Sequence, residues 1–184
     1  KIMALFDPSA VFILGAYFKL QSFLIMPVAG LTNGLTPLVA YNYGARSRTR
    51  ILALTRFALA LGAAIMAVGT ILLILLPGPL LGLFGAEENV LSSGIPALRW
   101  IAFGLIFSGL STVLCAVFQA LGASMTSLAI SLLRQVVLIL PAAYLLGLVQ
   151  PQLMWLSFPL AEVLSCLTAL FLFRHSWRKR LSDL

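Results

Sequence analysis

Charge is what this 184-residue chain has least of: Asp, Glu, Lys and Arg together make up 9% of it, against about 25% in soluble domains. So few charges cannot cover a water-facing surface. Acid is scarcer than base, with five carboxylates against twelve Lys and Arg and a net charge of +7. Histidine occurs once, as His175 in the basic tail, where it reads as an interfacial residue. The two cysteines, Cys115 and Cys166, lie inside apolar runs, so neither a disulfide framework nor a CxxC metal site is legible. GxSxG, HExxH, P-loop and paired intramembrane aspartate patterns are all missing, which disfavours a membrane hydrolase and an ATP-driven pump. No enzyme, metal site or organic cofactor is expected. Nucleic acid is an equally poor partner, because the basic residues flank hydrophobic segments instead of forming a stripe with interleaved aromatics.

What is abundant is apolar sequence, 61% of the chain, with a mean hydropathy of +1.09. A helix needs roughly 20 mostly apolar residues to span a bilayer, and breaks at Pro, Gly and charge clusters leave five such segments: residues 10–43, 51–76, 95–121, 126–148 and 153–173. The expected fold class is therefore an all-α integral membrane bundle of about five helices, one membrane domain over residues 1–184 with a basic cytoplasmic tail at 174–184. The first segment is too long for a roughly 30 Å hydrocarbon core, so it should project beyond one face or kink at Pro27 or Pro37.

Basic residues mark cytoplasmic loops. Arg46, Arg48, Arg50 and Arg56 follow the first segment, and Arg174, His175, Arg178, Lys179 and Arg180 follow the last. Both clusters are assigned to the cytoplasm, with residues 77–93 and 150–152 outside and 122–125 inside. The N-terminus then lies outside, an awkward start for a complete protein with no signal peptide, and further chain before Lys1 is expected.

Small and polar residues recur at helical spacing within the segments. One face of the first carries Lys19, Ser22, Met26, Gly30, Asn33 and Pro37; the third carries Gly104, Ser108, Ser111, Cys115 and Gln119; the fourth carries Ser124, Ser127, Ser131, Arg134 and Gln135. These faces are expected to look inward. Helix packing explains most of the Ser and Gly positions, and Gly30 with Gly34 reads as a packing GxxxG pair. Charges are another matter, since each costs about 2.5–3.5 kcal/mol at mid-bilayer on insertion scales. Lys19, Arg134 and Glu162 all lie within spans, and Glu162 is the only acid among them. Lys19 and Glu162 stand at similar depths, so the sequence allows a pair between them, while a snorkelling side chain or a buried structural pair is the simpler explanation of each.

Residues 20–46, LQSFLIMPVAGLTNGLTPLVAYNYGAR, resemble the eighth helix and following loop of multidrug and toxic compound extrusion (MATE) transporters. Residues 118–122 (FQALG), 132–135 (LLRQ), Pro141 and 158–162 (FPLAE) resemble helices ten to twelve in the same order. The resemblance implies most of the C-terminal lobe of a twelve-helix, two-lobe antiporter, with the N-terminal lobe as the missing partner. It implies a secondary exporter of organic cations or amphipathic drugs, driven by H+ or Na+ across the cytoplasmic membrane. The substrate-cavity candidates are Lys19, Met26, Asn33, Gln119, Arg134 and Gln135, and the ion-coupling candidate is Glu162. The coupling carboxylates of family members in the N-lobe and seventh helix fall outside the chain, and residues 95–121 hold no acid. A flippase for lipid-linked oligosaccharides and a non-transporting remnant are the alternatives.

Overall fold

The computed structural model describes residues 9–180, with side chains described to His175. No strand occurs among the described residues, and the helices are α1 (Ala10–Gly44), α2 (Arg48–Leu75), α3 (Pro77–Gly82), α4 (Glu88–Ala102), α5 (Leu105–Ala120), α6 (Ser124–Leu132), α7 (Ile139–Val149) and α8 (Ser157–Arg180). A π-helical turn at Leu133–Leu138 joins α6 to α7, and a 3-10 segment at Pro151–Leu156 leads into α8. Length and hydropathy allow four single-helix spans, Ala10–Gly44, Arg48–Leu75, Ser124–Val149 and Pro151–His175, and a fifth formed by the bent pair α4–α5. The chain is thus a multi-pass membrane protein.

One alternative left open by the sequence is decided here, and two local features go beyond the sequence reading. α1 is helical throughout, Pro27 and Pro37 included, and its 35 residues rise about 52 Å, so it outreaches the hydrocarbon core without a helix break. The third span starts at Glu88 instead of residue 95 and bends by 44° where Phe103 and Gly104 separate α4 from α5. The loop at residues 77–93 also contains the short helix α3, started by Pro77 at a position where its missing N–H costs nothing.

α5 is the hub, packed against α1, α2, α6 and α8. Its crossing with α2 is close because small residues face each other: a Cβ placed on Gly109 would stand 2.6 Å from Met66 Cγ and 3.3 Å from the Gly62 carbonyl oxygen. One apolar cluster, with Ile13, Leu98, Ile101, Met154, Trp155 and Phe158, fills one end of the bundle. Another, with Val28, Val39, Ile51, Met66 and Val117, fills the other end between α1, α2 and α5. The expected packing pair Gly30 and Gly34 takes no part, since a Cβ on either would meet nothing within 4 Å. Packing glycines are distinguished by what stands opposite, which the spacing along one helix does not contain.

Candidate functional site

The polar faces of α5 and α6 turn toward each other. Gln119 Nε2 donates to Ser127 Oγ at 3.0 Å, and the Cys115 thiol points to the Ser127 carbonyl at 3.9 Å. Between these helices and α1 lies a cleft of about 230 Å³, whose lining includes Thr32, Ser111, Thr112, Gln119, Ser131 and Arg134. It is lined by hydroxyls and the Gln119 amide inside an otherwise apolar bundle, and Arg134 is the one charged residue on its wall.

Arg134 sits in the first turn of the π-helical segment, where the helix ladder widens; such turns often occur at functional positions. Its Nη1 donates to Glu162 Oε2 on α8 and to Ser108 Oγ on α5, both at 3.4 Å, and the two charged side chains are 16% and 11% exposed. Distances at the long end of hydrogen bonding, through a single nitrogen, describe a Coulombic contact rather than a bidentate clamp. Gly104 makes room for it, because a Cβ there would stand 3.3 Å from Glu162 Cγ and 3.0 Å from Pro159 Cα. The helix break at Gly104 therefore coincides with the place where α8 presents its carboxylate.

The pair closes one end of a buried polar seam. Tyr17, 3% exposed, lies close enough to feel both charges and packs edge-to-face on Phe158 with centroids 5.6 Å apart. Ser111 and Cys166 complete it, with Ser111 Oγ buried and lacking a hydrogen-bond partner of good geometry. Tyr17 and Cys166 carry no mark in the sequence, because an aromatic or a thiol in an apolar run looks like filler until a charge is placed beside it.

Glu162 pairs with Arg134, and Lys19 is elsewhere: it is exposed, with Nζ 5.6 Å from the centre of the Phe84 ring. Among the cavity candidates, Gln119 and Arg134 line the cleft. Met26 and Asn33 lie on the exposed face of α1 with Lys19, and Gln135 is exposed within the π turn. The described residues hold no cluster of three or more His, Cys, Asp or Glu side chains able to hold a metal ion.

Apolar spans wrapped around a hydroxyl-lined cleft and a buried ion pair define the chain as part of a polytopic membrane protein with a polar interior. More specifically, the MatE family model matches residues 2–145, and the chain belongs to that family, whose members are transporters and not enzymes. A curated relative, the FAD transporter of Shewanella oneidensis, is 30% identical over 155 residues, covering 78% of this chain and 32% of that protein. Among solved structures, the Vibrio cholerae MATE transporter VcmN in its bent form superposes with a TM-score of 0.89 at 22% identity, over 97% of this chain and 41% of that one. The MATE multidrug transporter DinF-BH gives 0.80 at 26% identity, over 90% and 37%. The chain thus matches part of a larger MATE chain and spans less than half the length of these relatives.

Proposed function

We propose that this chain supplies most of one lobe of a secondary antiporter that moves amphipathic organic compounds out through the cytoplasmic membrane in exchange for H+ or Na+. The observation that carries the reading is a polar cleft inside an apolar bundle of a MatE-family chain, since buried hydroxyls and amides in a membrane interior are costly unless they serve packing or passage. Gln119, Ser131 and Thr112 offer hydrogen bonds there, and the exposed Met26 and Asn33 of α1 face outward from this lobe, available to a second lobe across a shared cavity. Organic cations are the substrates proposed first, in keeping with a relative described as multidrug. Glu162 is the carboxylate proposed to couple the ion.

The reading is tested by reconstituting the complete transporter in vesicles and imposing a pH or Na+ gradient while following a fluorescent organic cation. Gradient-driven movement supports it, and movement indifferent to both ions sinks it. One observation favours a second reading: Arg134 is the cleft's one charged residue, which suits a substrate bearing phosphate, such as the dinucleotide named for the Shewanella relative. A pyrophosphate-bearing lipid would be held by the same chemistry. Competition between the cation and FAD for efflux separates these readings. For orientation we propose that the α1–α2 turn and the basic tail are cytoplasmic and Asn89 external. A cysteine at Ser47 should then react with an impermeant reagent from the inside only, and one at Asn89 from the outside only. Ser176, a third labelling position, lies beyond the described side chains.

A further inference from the structure

Away from the cleft, the α1–α2 corner combines two features that no transport step uses. A groove of about 520 Å³ runs between the helices, lined by Leu38, Tyr41 and Asn42 on α1 and by Arg50, Leu54 and Phe57 among the α2 residues. Its walls are apolar and its large side chains open to the outside: Leu38 is 51% exposed, Tyr41 74% and Phe57 65%. From Arg50 to Phe57 the groove descends about 10 Å along α2.

Its mouth is strongly cationic. Arg46, Arg48 and Arg50 fall within five residues at that end, and Arg56 follows about 9 Å further along α2. The turn that carries them is held by backbone bonds, Ala45 N–H to the Tyr41 oxygen at 3.0 Å and Ser47 N–H to the Asn42 oxygen at 2.9 Å, with Arg46 in the left-handed region at φ 53°. α2 begins there with no side-chain cap and no acid in its first turn, so the positive end of its dipole adds to the arginines. In the groove wall, Asn42 donates Nδ2 to the Leu38 oxygen at 2.8 Å, while its buried Oδ1 meets no donor.

We propose that this groove binds an anionic membrane phospholipid, with the phosphate on Arg46 and Arg50 and one acyl chain along Leu38, Leu54 and Phe57. An apolar trough with a cationic mouth, on helices that cross the bilayer, matches an amphiphile whose charge sits at the water boundary and whose tail lies below it. A free phosphate would leave the apolar wall uncovered, and a zwitterionic lipid would leave the arginines uncompensated. Phosphatidylglycerol, whose head group carries one net negative charge, is the probe.

The experiment is native mass spectrometry of the full chain in neutral detergent, titrated with phosphatidylglycerol or phosphatidylcholine. Phosphatidylglycerol should bind more tightly, and Arg46→Gln with Arg50→Gln should weaken it by roughly twenty-five-fold, at roughly fivefold per arginine, while leaving phosphatidylcholine unchanged. Location is read separately with Phe57→Trp and brominated lipids in bilayers, against the parent chain, whose own three tryptophans set the background. Stronger quenching by brominated phosphatidylglycerol, lost with the two arginine changes, places the lipid in the groove. Equal binding of both lipids, or a Phe57→Trp reporter quenched by neither because a protein segment covers it, overturns the proposal.

Discussion

The outer face of α1 and the seam between α5, the π turn and α8 carry the same sequence signature and meet opposite fates. On α1, Lys19, Ser22, Met26, Gly30, Asn33 and Pro37 are exposed along the whole length of the helix, and the Ser22 hydroxyl turns back to the Phe18 carbonyl at 2.7 Å. In the seam, Ser108 and Ser111 are 1% exposed and Arg134 faces Glu162 at 3.4 Å. Helical spacing identifies a face, but not what stands opposite it. A bilayer sharpens the contrast, because lipid cannot satisfy an amide such as Asn33, so the α1 face calls for water or more protein. In the seam the two charges meet each other, and Ser108 accepts from Arg134.

The largest effect that can break this contrast is at the ion pair. Glu162→Leu leaves the Arg134 guanidinium without its counter-charge and should cost about 3–5 kcal/mol, read as a lower midpoint in thermal melts of the purified chain. Arg134→Met combined with Glu162→Leu should regain most of the loss. A single change that costs less than about 1 kcal/mol would place the seam on the same footing as the α1 stripe.

Glycines give the next largest difference. Gly109→Val forces a side chain against Met66 and the α2 backbone and should cost about 1–3 kcal/mol, with abundance falling accordingly. Gly30→Leu, at a position with nothing within 4 Å, should leave the stability of this chain unchanged. That reverses the effect expected from a packing GxxxG pair, and equal losses at both sites would restore it.

A functional contrast is smaller in stability and sharper in selectivity. Asn33→Ala and Gln119→Ala in the complete transporter should alter which compounds are exported, with abundance near normal, as measured by efflux of a panel of charged dyes. Gln119→Ala should have the larger effect on small polar compounds, because it also frees Ser127 in the cleft. The smallest change is expected for Lys19→Met: an exposed cation over Phe84 contributes about 0.5–1 kcal/mol, so the melting temperature should barely move.

Much of the molecule could be read from its residues, for identifiable reasons. A span of apolar residues must be a helix in a membrane, since only a helix satisfies its own backbone there. This is why the five segments, the inward face of Gly104, Ser108, Ser111 and Cys115, and the unusual status of Arg134 and Glu162 could all be recognised in one dimension. The bend at Gly104 was not legible, because the close approach of Pro159 and Glu162 there comes from another helix. Nor was the π turn, which appears where an ordinary LLRQVVL run carries its arginine toward α8.

Composition and periodicity by themselves therefore determined that the chain is a multi-pass helical bundle, with polar faces on particular helices and three charges needing an explanation. Those properties follow from local terms: the cost of charge in hydrocarbon, the backbone's need for hydrogen bonds, and the pitch of a helix. Only the tertiary structure decided that Glu162 meets Arg134 and not Lys19, that Gly109 and Gly104 pack while Gly30 stands open, and that Gln119 shares a cleft with Arg134 while Asn33 does not. Depth along a helix can be counted in residues. Direction around the bundle depends on which helices are neighbours, and that is set by the summed packing of all of them.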